Sequence, residues 1–553
     1  MNREINHAKT IRSLKLKAKN NFYSALQLSS YYGKGKYVDK DEVEEKKYLS
    51  KAYDLFKEQG LFINELSVSN YRLFSTLEIK NLDRNLNIFI GNNGAGKTTI
   101  LDALDLSLSW LSISINKNGG SGSYIDENDI NTYNESSYSS VNVKFEINKN
   151  IKANISINKS KDGRIKVRNA LSEIKAVGGF YKVANDFEPL YNMPLLAYYN
   201  VMRSYDVNPK DLRQPDLREI TSNDKFDAYQ KSLDGKTDFS KFFQWYKKID
   251  DILIRRKAND TSSVSSDIIN KLRELFDNDQ LSTMGEKEKL TLIEVLGLSE
   301  EPEDIEVESK KENHKELKKI KKIVDALISD FMGDIYSNIE IVIEPKLDIL
   351  ISKRQRKISV MRLSQGEKTL LALILDIARR LIILNPSLEN PLHGSGVILI
   401  DEFDLHLHPK WQKNVALKLV NNFPNCQFFL TTHSPLVITE TNAKNVFIIN
   451  EEDDGSIAIF RPNQTYGLDS NQVLDELMKP LGVESLSRPD FINHKINEIN
   501  NLIDKETNAS LLEAEERIKE LEKKINGDIP DLVEASVRLE SVKLWIEDNE
   551  EDS

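Results

Sequence analysis

Residues 87 to 99 have the sequence NIFIGNNGAGKTT, an apolar run followed by a glycine-rich loop that ends in lysine and threonine. The apolar run is typical of a strand, and the residues after Thr99 are typical of a helix. Glycines let such a loop wrap closely, so that backbone N–H groups point at phosphate oxygens. The following helix adds the positive end of its dipole. The order of strand, loop and helix therefore predicts a cradle for nucleotide phosphates.

The spacing Gly91-x-x-x-x-Gly96-Lys97-Thr98 assigns candidate roles within this loop. Lys97 can reach the β- and γ-phosphates, and the hydroxyl of Thr98 can hold Mg²⁺. The residues expected to bind the nucleotide are Gly91, Asn92, Asn93, Gly94, Ala95, Gly96, Lys97, Thr98 and Thr99. The alternative, a glycine turn that happens to precede a lysine, is disfavoured because a strand and a helix flank the loop.

The length and composition indicate a globular protein of several domains. The chain has 553 residues, a formal net charge of −11, 39% hydrophobic and 29% charged residues. These values are ordinary for a globular protein of two to four domains. The sequence contains no apolar run long enough to span a membrane, and its polar N-terminus argues against a secretory signal. Cys426 is the only cysteine, which excludes an intrachain disulfide and fits a cytoplasmic location.

Composition and pattern divide the chain into five regions. We predict an N-terminal helical region (1–60), two lobes of one nucleotide-binding domain (61–205 and 331–450), a lysine-rich helical insertion between them (206–330), and a C-terminal helical tail (451–553). In the tail, apolar stripes at helical spacing favour the core of a helix bundle over a groove for a partner.

A second motif is the run Gly396-Val-Ile-Leu-Ile400 followed by Asp401 and Glu402. The four apolar residues after the glycine predict a buried parallel strand. Its carboxyl end is where open α/β sheets bind their ligands. We expect Asp401 to hold Mg²⁺, directly or through water, and Glu402 to orient and deprotonate the attacking water.

A third motif, residues 362–368 with the sequence RLSQGEK, precedes a predicted helix and is termed the signature segment below. Ser364, the backbone of Gly366 and the helix N-terminus can form a second anion site. One nucleotide does not need two such sites from one subunit, so we expect this one to contact the γ-phosphate bound by a partner subunit. The alternative is a capping box between Ser364 and Glu367, and both interpretations can hold together.

A fourth motif, FFLTTHSP, places His433 at the end of a predicted strand, where it could contact the γ-phosphate and help to place the water.

Two further sets of residues are less specific candidates. Asn200 or Arg203, after a Tyr-Tyr pair, could contact the nucleotide from the preceding lobe. His406 and His408 are two residues apart, but no cysteine or third histidine lies nearby to complete a metal site.

In this order the four motifs resemble the ABC-type ATPases of the SMC, RecF and OLD group. The resemblance implies an α/β fold, an ABC-type P-loop NTPase with an N-terminal helical region, a helical insertion and a C-terminal helical tail. It implies ATP and Mg²⁺ as cofactors, a head-to-head dimer, and catalytic roles for Lys97, Glu402 and His433. In the segment Asn70-Tyr71-Arg72 it places Arg72 near the nucleotide. The signature segment differs from that of transporters, which argues against a transporter subunit.

The whole layout is similar to the PtuA ATPases of Septu-type anti-phage systems, in the form encoded with a retron. The features that carry this likeness are the N-terminal helices, the lysine-rich insertion, and the tail segments 466–474, YGLDSNQVL, and 487–489, SRP. The short N-terminal region, which resembles one copy of a Sel1-like repeat, indicates the retron form. The likeness implies partners: the separately encoded HNH nuclease PtuB, and a reverse transcriptase with its RNA–DNA hybrid, msDNA. It implies that 451–553 is a partner-binding region and that this chain itself is not a nuclease.

Nucleic-acid contact is a separate question. Lys315, Lys318, Lys319 and Lys322 would share one helical face within a basic stretch from Lys310 to Lys322. A solvated face is the favoured interpretation, and contact with a phosphate backbone is the alternative. Residues 353–357, KRQRK, indicate a basic hairpin tip.

Two other functions of the chain stay open: a DNA-repair ATPase that acts directly on DNA, and an ATP-binding scaffold with little turnover.

Overall fold

The computed structural model describes residues 2–57, 60–117, 119–131, 138–149, 151–161, 168–201, 225–236, 239–261, 304–342, 348–452, 456–479 and 485–551. The chain forms two compact units. The first contains Met1–Ile88 and Thr98–Thr432, and the second contains Phe89–Lys97 and His433–Ser553. Arg203, Lys310 and Lys311 were named from the sequence. Arg203 and the side chains of the two lysines lie outside the described residues.

The helices of eight or more residues in the described part are α1 (Asn2–Lys17), α2 (Phe22–Lys34), α3 (Glu42–Phe56), α4 (Lys97–Asn116), α5 (Ser172–Phe187), α6 (Phe239–Thr261), α7 (Asp304–Met332), α8 (Gln365–Leu384), α9 (Pro409–Asn422), α10 (Asp490–Ile503), α11 (Asn508–Ile525) and α12 (Pro530–Glu551). The strands are β1 (Phe62–Tyr71), β2 (Phe74–Ile79), β3 (Leu86–Gly91), β4 (Tyr138–Asn148), β5 (Ile151–Ser160), β6 (Leu195–Tyr199), β7 (Tyr336–Val342), β8 (Asp348–Lys353), β9 (Arg356–Ser359), β10 (Gly396–Ile400), β11 (Cys426–Thr431), β12 (Val446–Glu451) and β13 (Ile457–Phe460).

In the first unit, a three-helix N-terminal region precedes an antiparallel sheet in the order β2-β1-β4-β5. The side chains of Asn21 and Asp41 cap α2 and α3 by accepting backbone N–H bonds. Phe22 and Phe56 of these helices pack against Phe180 of α5 with ring centroids 5.0 and 4.9 Å apart. The aromatic contacts therefore join the N-terminal helices to a helix of the predicted nucleotide-binding lobe.

A parallel sheet in the first unit holds the second motif. β10 lies between β6 and β11, with Ile400 opposite Tyr199 on one side and Leu430 on the other. All three strands are buried along their whole length, as expected for parallel strands covered on both faces. The carboxyl ends of the three strands consequently meet at one edge, where Asp401 follows β10.

Helix α8 begins at the signature segment and is apolar nearly all round. Apart from its first turn almost all of its residues are buried, including a charged cluster of Asp376, Arg379 and Arg380. Arg379 and Arg380 donate to the carboxylate of Asp376 over 3.0 and 2.8 Å, and the hydroxyl of Tyr199 donates to it over 2.9 Å. Because a buried charge is stable only when it is paired, this cluster fixes α8 against β6.

A third, antiparallel sheet in the order β7-β8-β9 stands before the signature segment. Arg354 and Gln355 turn the chain between β8 and β9 with φ of 48° and 64°. Two consecutive left-handed residues are typical of a tight hairpin turn, so the basic segment at 353–357 is a hairpin tip as the sequence predicted. Lys353 and Lys357 in it are paired with Glu367 and Glu340.

The second unit contains β12 and β13, which pair antiparallel, and the C-terminal helices α10, α11 and α12. The three helices share one apolar core, which contains the stripes read from the sequence. Its fully buried members include Ile499, Ile503 and Ala514. The interpretation of these stripes as the core of a bundle is therefore confirmed.

Two local features differ from the sequence prediction. Helix α5 was not predicted, and β13 lies within the tail, which was expected to be helical. Among the described helices, α4 alone is long and apolar enough to cross a membrane, and 67% of its apolar window is buried. The apolar side chains of α4 are therefore mostly part of the protein core.

Candidate nucleotide site

The phosphate loop folds around its own lysine. In the second unit, the Nζ of Lys97 donates to the carbonyl oxygens of Gly91 and Asn92, each over 2.9 Å. The Lys97 side chain is buried, and the backbone N–H of Ala95 closes the turn onto the Asn92 carbonyl over 3.2 Å. Two backbone carbonyls of the loop thus bind the ammonium group, and oxygens of an anionic ligand can replace them as partners.

Two glycines of the loop have a conformational reason to be glycine. A side chain at Gly91 would place its Cβ 2.4 Å from the carbonyl oxygen of Ile449 in β12. Gly96 has φ of 101°, which disfavours any residue with a Cβ. The loop therefore needs glycine at both ends of the motif for backbone geometry, in addition to the approach of a phosphate.

Thr98 and Asp401 are brought together in the first unit. The Thr98 hydroxyl donates to Oδ2 of Asp401 over 2.9 Å, although the two residues are 303 positions apart in sequence. Asp401 is only 2% exposed. A carboxylate and a hydroxyl side by side supply the oxygen ligands that Mg²⁺ prefers. The hydroxyl keeps lone pairs for an ion while its hydrogen bonds to Asp401, so the donor set fits Mg²⁺.

Thr431, the last residue of β11, holds both carboxylate residues and was not identified from the sequence. Its hydroxyl donates to Oδ1 of Asp401 over 2.5 Å and accepts the backbone N–H of Glu402 over 2.7 Å. Its carbonyl oxygen accepts the N–H of Phe403 over 3.1 Å. Thr431 is fully buried. The only sequence signal was its place two residues before His433 in an apolar strand.

The segment 401–406 after β10, termed the carboxylate turn, is held in an unusual backbone conformation. Glu402 and His406 have φ of 44° and 64°, in the left-handed region that side chains rarely adopt. Besides Thr431, the side chain of Gln412 in α9 supports this turn by donating to the carbonyl oxygens of Asp404 and Leu407 over 3.4 and 3.0 Å. Such strained residues persist only where neighbours fix them, and they are common at functional sites.

Arg72 lies in the turn between β1 and β2 and contacts α4, the helix that follows the phosphate loop. Its guanidinium donates to the carboxylate of Asp102, and its Nε donates to Asp129 over 2.8 Å. Tyr198 of β6 donates to the other oxygen of Asp102 over 2.9 Å. The ion pair with Asp102 thus holds the Arg72 side chain against α4.

The signature segment forms the predicted capping box. The hydroxyl of Ser364 accepts the N–H of Glu367 over 3.3 Å, and Oε2 of Glu367 accepts the N–H of Ser364 over 2.6 Å. Glu367 also accepts the hydroxyl of Tyr336 and the ammonium of Lys353. Burial alone would raise the pKa of Glu367, but the hydrogen bonds from Lys353, Tyr336 and Ser364 lower this pKa to about 2.

Gly366 packs directly on the carboxylate turn of the same chain. A Cβ at Gly366 would lie 2.1 Å from the carbonyl oxygen of His406 and 3.6 Å from the Cα of Leu407. Glycine is therefore required here by a contact between two backbones. This contact joins the start of α8 to the turn that begins with Asp401, which the sequence did not indicate.

The remaining candidates are placed as follows. His433 lies two residues beyond the end of β11, in the second unit, and is partly buried. His408 caps α9, since its Nδ1 accepts the N–H of Lys410 over 3.2 Å. Asn200 bonds through its backbone N–H to the carbonyl of Gly235 over 2.9 Å. Among the residues that the structure describes, no group of three His, Cys, Asp or Glu side chains could hold a metal.

The comparisons with known proteins agree with this site. The model of the AAA ATPase domain family matches residues 62–438. The chain is 37% identical over 434 residues to the "Retron Vc95 probable ATPase" of Vibrio cholerae, covering 78% of this chain and 82% of the relative. It is 32% identical over 548 residues to the "Retron Ec83 probable ATPase" of Escherichia coli, covering 96% of each. With the "Septu protein PtuA" of Bacillus thuringiensis it shares 28% identity over 170 residues, which is 30% of this chain and 43% of the relative.

The family match spans well over half of the chain, and the second retron relative is similar along nearly its whole length. The prediction of an ABC-type P-loop ATPase that resembles PtuA is thereby confirmed. The helical regions at both ends of the chain agree with the predicted fold class. The chain belongs to the AAA ATPase domain family and, within it, to the family of the retron ATPases.

Proposed function

We propose that this chain is the ATPase component of a retron- or Septu-type anti-phage defence complex, which dimerises around ATP and regulates a separately encoded HNH nuclease. The observation that carries the ATPase part is the hydrogen bond of 2.9 Å between Thr98 and Asp401. It joins the residue after the phosphate-loop lysine to the carboxylate at the end of β10. The defence part is supported by the names of the retron and Septu relatives.

In the proposed site, Lys97 exchanges its two carbonyl partners for the β- and γ-phosphate oxygens of ATP. Thr98 and Asp401 would hold Mg²⁺, which when bound neutralises negative charge on the phosphates. Backbone N–H groups of residues 91–99 contribute further donors. These interactions position and stabilise the charged phosphates, which is where most of the catalysis of phosphoryl transfer arises.

Glu402 is the proposed general base. It orients a water molecule and accepts its proton as the water oxygen attacks the γ-phosphorus, while the bond from the γ-phosphorus to the β,γ-bridging oxygen breaks and ADP leaves. Thr431 positions this residue, because it holds the backbone N–H of Glu402 and the carboxylate of Asp401 with one hydroxyl. His433 is proposed to contact the γ-phosphate. Arg72 is proposed to lie near the nucleotide, held beside the phosphate-loop helix by its ion pair with Asp102.

We propose that a second copy completes the site head to head, with Ser364 and the backbone of Gly366 facing the γ-phosphate bound by its partner. In that role the Ser364 hydroxyl would turn its hydrogen from the Glu367 carboxylate to a phosphate oxygen, while it still accepts the N–H of Glu367. The contact between Gly366 and His406 supports the idea further. Through this contact the signature segment, which would bind the partner's nucleotide, touches the carboxylate turn of the same chain.

The proposed partners follow from the retron and Septu relatives: the HNH nuclease PtuB, a reverse transcriptase and its msDNA, with 451–553 as a partner-binding region in a cytoplasmic complex. The catalytic nuclease would be the other chain. Contact with a nucleic-acid backbone stays the alternative to a solvated face for Lys315, Lys318, Lys319 and Lys322, which are exposed on α7. The pairing of Lys353 and Lys357 makes the hairpin tip the weaker candidate.

A turnover assay tests the enzymatic part. Purified wild-type protein should release phosphate from ATP only with Mg²⁺, and Lys97→Ala should abolish both binding and release. Glu389→Gln, a change at an exposed loop carboxylate, serves as control and should retain full activity. ATP binding without turnover in the wild type would instead indicate a scaffold. The defence part is tested by copurification with the tagged protein, expressed from its native operon. Recovery of repair nucleases alone, with normal turnover of ATP, would overturn the defence assignment.

A further inference from the structure

Helix α12 of the C-terminal bundle is apolar on two opposite faces. Its inner face consists of the buried core residues Leu532, Ala535 and Leu539. Val533, Val537 and Leu544 are 48, 60 and 62% exposed. With about 100° of rotation per residue, these three lie within about 40° of one another and roughly opposite the inner face. We term them the outer stripe. An apolar face of this kind on a helix that already has its core face buried marks an interaction site.

Charges beside the outer stripe are of one sign. The two basic residues of α12 both form ion pairs within the bundle: Arg538 pairs with Asp504, and Lys543 pairs with Glu515. Glu534 and Glu540 are exposed on α12 and make no ion pair with any residue in the described part of the chain. The surface around the stripe therefore presents carboxylates with no compensating cation of its own.

The acidity extends over the whole bundle. Residues 485–551 contain 17 Asp and Glu against nine Lys and Arg, a net charge of −8 out of −11 for the chain. A like-charged ligand is repelled by such a surface, which disfavours nucleic acid and anionic membranes. A second copy of α12 would bring its own Glu534 and Glu540 against those of the first.

We propose that the outer stripe is the docking site for a basic amphipathic helix of a partner protein. The apolar face of that helix would pack on Val533, Val537 and Leu544, and its flanking Lys or Arg side chains would pair with Glu534 and Glu540. The stripe runs about 17 Å, or three helical turns, so the complementary segment needs apolar residues at a spacing of three to four. This docking site rests on the proposed function, and it would give the partner-binding region 451–553 a partner of defined chemistry, a basic amphipathic helix.

The test uses the full chain and a synthetic probe, a labelled peptide of leucine and lysine arranged as an amphipathic helix. A scrambled peptide of the same composition has the same charge but no apolar face. We expect the amphipathic peptide to bind the wild type at least tenfold more tightly than the scrambled one. Double substitution Val537→Asp with Leu544→Asp should weaken its binding at least tenfold. Leu16→Asp, at a leucine that is 65% exposed on α1, should leave binding unchanged.

Two outcomes would overturn the proposal. Equal binding of both peptides, or of wild type and the double variant, would mean that bulk charge alone attracts the probe. Loss of an oligomer in the double variant, measured by sedimentation without ATP, would assign the stripe to a second copy instead. Phosphate release is measured on the same samples. If the double variant retains turnover, failure of the docking proposal is separated from failure of the proposed ATPase function.

Discussion

The hydroxyl of Thr431 donates a hydrogen bond of 2.5 Å to the carboxylate of Asp401, and both residues are buried. The same oxygen accepts the N–H of Glu402, whose left-handed backbone depends on such support. One side chain at the end of β11 therefore sets the positions of both acidic residues that follow β10.

Removal of this hydroxyl should lower turnover more than nucleotide binding. Thr431→Val keeps the shape of the side chain but removes the donor to Asp401 and the acceptor for Glu402. Hydrogen bonds to charged groups contribute about 1.5–3 kcal/mol, so kcat should fall about 10- to 100-fold with little change in the KM for ATP. Thr431→Ser retains the hydroxyl and should restore most of the activity. A serine variant as slow as the valine variant would show that packing, and not the hydroxyl, matters.

The backbone contact between Gly366 and His406 should make position 366 intolerant of alanine. The added methyl would displace the carboxylate turn or the start of α8, at a cost of about 1–3 kcal/mol in the free energy of unfolding. Turnover should fall as Glu402 shifts. Gly179 in α5 is the matched control, because a Cβ there meets nothing within 4 Å. Gly179→Ala should be neutral or stabilise by up to about 1 kcal/mol. Equal tolerance at both positions, measured by chemical denaturation, would contradict the contact.

Glu367 in the signature segment should make the free energy of unfolding depend on pH. Because the folded pKa of Glu367 is lowered to about 2, its ionised form stabilises the fold above the ordinary carboxyl pKa. This contribution is lost as pH falls from about 5 towards 2. Glu367→Gln should therefore be less stable than wild type at pH 7, and the difference should shrink as the pH approaches 3. Denaturation midpoints at both pH values check this, and a difference that does not vary with pH would refute it.

The lysine face of α7 can be tested by its dependence on salt. Replacing Lys315, Lys318, Lys319 and Lys322 by glutamine should weaken the binding of nucleic acid at low ionic strength. If all four neutralise phosphates of a duplex, the slope of log K against log salt should decrease by about four. The control is Lys47→Gln with Lys410→Gln, two lysines that lie on other helices. An unchanged slope would mean that the face is merely solvated.

The sequence predicted those parts of the site that depend on short segments. The phosphate loop, the β10 strand with Asp401, and the Ser364 capping box are each encoded within about a dozen residues, by glycine spacing, apolar runs or cap chemistry. The structure brings Thr98 to Asp401 as their predicted roles require, while the catalytic roles themselves stay predictions.

What the sequence could not predict depends on register between distant segments. Thr431 reaches Asp401 because β11 lies beside β10 with Leu430 opposite Ile400, and nothing local to TTHS reveals that pairing. The contact between Gly366 and His406 likewise joins residues 40 positions apart through backbone atoms, which carry no pattern in the sequence. The short strand β13 was missed because its four residues, IAIF, are all apolar and show no alternation.

The most direct test of the account is the substitution Glu402→Gln, examined by light scattering and phosphate release with Mg²⁺ and ATP. The amide cannot accept a proton from water but keeps the size of the side chain, so hydrolysis should fall at least 100-fold. ATP should then hold the protein as a stable dimer, whereas wild type with ADP should not be held in that state. Hydrolysis at the wild-type rate, or a mass that does not respond to ATP, would contradict the assignment of Glu402 as the base of an ATP-driven dimer switch.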